Sequence, residues 1–232
     1  MSQIQTGPAA TAPRNRHNCR DTRGTTSTLP RVKAVILAED ALAPGTPLWR
    51  DAVDHLARKL GRVTPLDPAS ISSDRCEGLH QLAAWAGDEA STWEVELARF
   101  YEEHIPVYMR PDPALNSVIR QLAAGGTRIA AWSPGPPQVG AIVTHFLGIA
   151  RRLETERVEP DHAGPVHLVA ELGLEPADAL IVSASPAVLA AAAAAKAATA
   201  GAVWTGGDRE ALLAVRPSYL AESPQELLTL TA

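Results

Sequence analysis

The chain has 232 residues, 46% of them apolar and 20% charged, with a formal charge of -5. That suits one soluble α/β domain, or one carrying a smaller inserted domain, and gives no reason to expect nucleic acid or an anionic membrane as partner. No apolar run approaches the ~18 residues that span a bilayer. The two cysteines, Cys19 and Cys76, form no CxxC pair and have no histidine at zinc-ligand spacing, so a reduced, cytoplasmic protein without a disulfide is expected.

Residues 1–30 lack apolar periodicity and are rich in Thr, Pro, Ser, Asn and Arg, which predicts a disordered tail. Val32 to Leu37 then forms a continuous aliphatic run, the pattern of a strand buried on both faces. After Pro44-Gly45, Thr46 is a candidate helix cap, Pro47 suits the first turn, and Leu48, Val53, Leu56 and Leu60 trace one helical face up to Gly61. Two more helices are expected around Glu77 to Ala86 and Ser91 to His104, the second with a Ser91/Glu94 capping box.

From residue 112 the pattern alternates. "PDPALNSVIRQLAAGG" reads as a helix, "TRIAAWSPGPP" as a strand breaking into a loop, and "QVGAIVTHFLGI" as a helix. Ile149 to Glu154 is a short strand candidate. "GPVHLVAELGL" reads as a helix, "DALIVSAS" as a strand, "PAVLAAAAAAKAATAG" as an Ala-rich helix, and "AVWTGG" as a strand. "SYLAESPQELLTL" gives a last strand and a closing helix with Ser223 as cap. Such alternation predicts a parallel sheet with helices on both faces. The first strand stands roughly seventy mainly helical residues ahead of this block, far beyond an ordinary crossover, so an inserted helical subdomain is expected. The predicted division is a tail at 1–30, an α/β core at 31–43 and 110–232, and a helical cap at 44–109.

In element order, and in the stretches "KAVILAEDAL", "LAAGGTRIAAWSPGP", "HFLGIARRLE", "ELGLEPADALIVSASP" and "YLAESPQELL", the chain resembles the haloacid dehalogenase-like (HAD) hydrolases with a helical cap. The resemblance covers about residues 31 to 230 and implies a Rossmannoid core whose site lies at the carboxyl ends of the strands. It also implies four loop motifs. The first is Asp-x-Asp, a nucleophile that forms an aspartyl-phosphate and an acid/base two residues on. In "ILAEDAL" these positions hold Ala38 and Asp40. A methyl group can neither attack phosphorus nor bind Mg²⁺. The second is a Ser or Thr that holds a phosphoryl oxygen. Ser133 fits, and Gly135 after it can offer a backbone N–H to an anion. The third is a Lys, and Glu159 stands near its place, with no Lys anywhere between Lys59 and Lys196. The fourth supplies acids for Mg²⁺, and Ser183, Ala184 and Val188 stand there, with no carboxylate between Asp178 and Asp208.

Nucleophile, counter-charge and metal cage are thus all missing from a legible scaffold. The reading is a catalytically impaired pseudo-phosphatase that acts by binding an unknown protein partner or a small phosphorylated ligand, with no cofactor. The alternative is a divergent hydrolase that uses Asp40 at an atypical site with weak Mg²⁺, assisted by His104, His145, His162 or His167. Glu39 is the poorer candidate, because in an extended chain it points away from Ala38 and Asp40. His167, within an apolar stretch, is expected to pack. The aromatic residues Trp85, Trp93, Phe100, Tyr101 and Tyr108 form cap core or, less in keeping with their type, a contact face for a partner.

Overall fold

The computed structural model describes residues 32–61, 65–87 and 90–231. The expected tail, Cys19 and the side chain of Ser91 lie outside the described residues.

The aliphatic run forms the central strand β1 (Ala34–Ala38), buried at all five positions. The other strands are β2 (Arg128–Ser133), β3 (Thr155–Val158), β4 (Ala179–Ser183), β5 (Ala198–Ala202) and β6 (Tyr219–Ala221). They lie in the order β3-β2-β1-β4-β5-β6 and every pairing is parallel. This is an α/β Rossmann-like sheet. Burial on both faces explains why β1, β2 and β4 read as unbroken apolar runs.

The helices are α1 (Glu39–Leu42), α2 (Thr46–Leu60), α3 (Arg75–Ala86), α4 (Ala90–Tyr108), α5 (Pro113–Ala124), α6 (Pro137–Phe146), α7 (Gly164–Glu171), α8 (Pro186–Ala194), α9 (Arg209–Ala214) and α10 (Glu226–Leu230). Side chains alternate across β1. Val35 and Leu37 join one buried cluster with residues of α2, α4, α5, α6 and α10, whereas Ala34, Ile36 and Ala38 join another with residues of α7 and α8. From α2 to α4 the chain is mainly helical, and α4 packs on both α2 and α6. The insert is therefore fastened to the sheet's own core.

Several boundaries differ from the sequence reading. Residues Ala150–Arg152 form a 3₁₀ turn, and the strand expected at Ile149 to Glu154 runs instead over Thr155–Val158. The Ala-rich helix ends at Ala194, Lys196 takes a left-handed φ of 67°, and the rest of the run is β5. A run of alanines carries no apolar period, so nothing in it marks the switch. The strand expected in "AVWTGG" consequently lies earlier. Thr46 is the first residue of α2, with Gly45 as its cap and no capping side chain. Trp93, Phe100 and Tyr101 are buried and build core, whereas Trp85 and Tyr108 are only partly buried against it. His167 is exposed. Its ring faces outward from α7 while Leu168 and Val169 carry the packing. Among the described residues no helix is long and apolar enough to cross a membrane.

Candidate functional site

At the carboxyl end of β1 the chain turns at once into α1, so the residues after Ala38 do not alternate as a strand would. Glu39 swings toward β2 and Asp40 toward β4. Glu39 is only 3% exposed. One of its carboxylate oxygens accepts the hydroxyl of Ser133 at the end of β2, and the other is paired with the guanidinium of Arg75 at the start of α3. The expectation that Glu39 points away from the site is therefore corrected, because its physical premise, an extended chain, fails at Ala38.

Arg75 is partly buried beside Glu39, its guanidinium carbon 6.0 and 5.7 Å from the ring centroids of Trp49 and Tyr101. Burial works against its charge, but the Glu39 carboxylate outweighs this and holds the guanidinium firmly protonated. Burial also pushes the Tyr101 hydroxyl up to about 12.

The carboxylate of Asp40 accepts the hydroxyl of Ser183 at 3.0 Å and the backbone N–H of Ala184 at 3.0 Å. Desolvation raises its pKa from 3.8 to about 6, against the lowering effect of those two hydrogen bonds and with a further push from Glu39. Ser133 accepts the N–H of Gly135 at 3.3 Å, so that donor is used within the loop. Gly135 has φ +100°, and a Cβ there would meet Val158 at 2.8 Å. Only glycine fits both.

Ala38 is fully buried, in register with Trp132 on β2 and within the same apolar cluster. The indole donates to the backbone oxygen of Glu159 at 3.1 Å. The Glu159 side chain is held by Arg157 Nε at 2.7 Å and by His167 Nδ1 at 3.0 Å. The positive charge nearest Glu39 thus comes from α3, not from the loop after β3. Ala184 and Val188 bring no oxygen ligand on their side chains, and Val188 is buried in the core. Asp40 alone does not make a seat for a hard divalent cation, so the residues present do not fit Mg²⁺ in the fold's usual place.

Glu39, Asp40, Arg75, Trp132, Ala184 and Val188 border a pocket of about 450 Å³ at the carboxyl ends of β1, β2 and β4, beside the start of α3. Its lining includes four carboxylates, Glu39, Asp40, Asp74 and Asp208, against one guanidinium, Arg75, which Glu39 already neutralises. Asp208 also caps α9 through the N–H groups of Glu210 and Ala211. His162 reaches the pocket from the loop after β3, with Nε2 3.0 Å from both carboxylate oxygens of Asp74. Cys76, beside it, is a free and buried thiol that burial pushes up to about 12. Of the other histidines, His104 stacks on Phe100 and His145 is exposed on α6, both outside the pocket lining.

No protein-family model matches the chain, and no curated protein matches it. Solved structures do. A hydrolase from Pseudomonas syringae is 18% identical with a TM-score of 0.68, over 87% of this chain and 97% of its own. A haloacid dehalogenase-like family hydrolase from Streptococcus pneumoniae is 15% identical with a TM-score of 0.66, over 87% and 99%. CbbY from Rhodobacter sphaeroides, solved with phosphate, is 16% identical with a TM-score of 0.63, over 84% and 96%. The chain has the haloacid dehalogenase-like fold.

Proposed function

We propose that this is a cytoplasmic haloacid dehalogenase-like protein that binds a small ligand between its helical insert, residues 44–109, and its α/β core, and does not transfer phosphoryl groups. The observation that carries this reading is the Ser133 hydroxyl donating to Glu39. In the fold's phosphatases the matching hydroxyl serves a phosphoryl oxygen. Here a resident carboxylate, locked by Arg75, stands in for that anion. Ala38 offers no attacking oxygen beside it.

The charge balance of the pocket selects the ligand class. Asp40, Asp74 and Asp208 remain after the Glu39–Arg75 pair, Asp74 against His162 and Asp208 exposed, so a dianionic phosphate would meet net repulsion in the pocket. A neutral or cationic small molecule meets none. The phosphorylated ligand expected from sequence is accordingly the less favoured occupant.

Thermal shift tests the reading. Neutral polyols and small amines should raise the melting temperature without Mg²⁺, while inorganic phosphate should not. Stabilisation by inorganic phosphate that requires Mg²⁺ would overturn it.

One observation favours a second reading, a divergent hydrolase. Asp40, with its pKa near 6, is suited to move a proton close to neutral pH. In that case Asp40→Asn abolishes turnover of a phosphate ester and leaves the fold intact.

A further inference from the structure

Three side chains of different chemistry converge where the start of α3 meets the loop after β3. One ligand atom each of Asp74, Cys76 and His162 lies within 4.8 Å of the others. Four-coordinate zinc with sulfur, nitrogen and oxygen ligands needs such atoms roughly 3.3–3.6 Å apart. The Asp74–His162 contact of 3.0 Å needs to open only slightly to admit an ion.

The surroundings favour a cation. Asp74 Oδ1 accepts the N–H of Glu77 at 3.0 Å, which fixes the carboxylate as an outer partner fixes a metal ligand. All three residues line the pocket; Cys76 is 4% exposed, while the Asp74 and His162 side chains are each about one-third exposed, so the sulfur is the most shielded of the three. The uncompensated carboxylates of the pocket add attraction. A second group, Glu159, Asp161 and His167, has no sulfur, and its Glu159 is already held by Arg157.

We infer that Asp74, Cys76 and His162 form a site for a borderline-soft divalent cation, zinc being the best match, with its open coordination position toward the pocket. A thiolate, an imidazole and a carboxylate together select zinc or cobalt over Mg²⁺, which takes oxygen ligands. On binding, the thiol proton leaves to solvent and the sulfur pair goes to the metal. The site does not rest on the ligand-binding reading above, and it stands or falls separately.

The test uses the full chain, stripped of metal by a chelator and titrated with Co²⁺. One Co²⁺ should bind per chain with a near-ultraviolet thiolate-to-cobalt charge-transfer band, and Zn²⁺ should displace it. Cys76→Ser should abolish the band. Cys19→Ser, which removes the only other thiol, should keep it, as should Asp161→Asn. Because Cys76 is buried, His162→Gln at a part-exposed position gives an independent check, with affinity falling at least about tenfold as one of three ligands is lost. Absence of the band in the wild-type chain, its survival in Cys76→Ser, or unchanged affinity in His162→Gln overturns the assignment.

Discussion

The carboxylate of Glu39, which lines the pocket, accepts the hydroxyl of the buried Ser133, 94 residues further along the chain. Arg75 completes the cluster from the helical insert. A pocket built for phosphate leaves such a serine free for its substrate. This one is already engaged.

The Glu39–Arg75 pair is nearly dry, so losing one partner strands a buried charge. Glu39→Gln and Arg75→Met should each cost about 3–5 kcal/mol. The double variant should lose much less than the sum, because neither charge is then stranded. Urea denaturation of the four chains measures this. Additive losses would mean that the two groups do not act as a pair.

Asp40 makes stability depend on pH. Its folded pKa, about 6, lies above its ordinary 3.8, so the native state holds the proton more tightly than the unfolded chain does. The stabilisation from that proton is complete below about pH 4 and is lost as pH rises through about 6. Two pH units correspond to at most about 3 kcal/mol for this half-buried group. Asp40→Asn should lack the decline, so wild type should weaken relative to the variant between pH 4 and pH 7 in parallel denaturation curves. Parallel behaviour of the two chains would contradict the assignment.

Gly164 sits where a Cβ would meet Trp132 Nε1 at 2.0 Å. Gly164→Ala must therefore push the indole off its position and off its hydrogen bond to Glu159. A loss of about 1–3 kcal/mol is expected, typical of overpacking, together with a shift in tryptophan emission. Unchanged melting and emission would show that the indole has room to move.

Much of this was legible in the sequence. The buried run Val32 to Leu37 marks the central strand, and alternation after residue 112 marks the parallel sheet. The missing oxygen at Ala38 and the stretch without lysine around Glu159 are visible by inspection. What escaped was geometry made by distant partners. The period-two rule misplaces Glu39 because it holds only while the chain is extended, and α1 begins at that residue. Arg75 carries no local signal of its role, since its carboxylate lies 36 residues upstream. Asp74 and His162 are 88 residues apart and belong to no spacing pattern. The helix-to-strand switch near Lys196 was hidden in a run of identical side chains, where periodicity has nothing to read.

The most direct test is hydrolysis of acetyl phosphate and p-nitrophenyl phosphate by the purified chain, with and without Mg²⁺, beside Asp40→Asn. Wild type and variant should release phosphate at the same background rate in both conditions, because no side-chain oxygen at position 38 can attack and Ser133 is held by Glu39. Mg²⁺-dependent turnover by the wild type that disappears in Asp40→Asn would contradict the account.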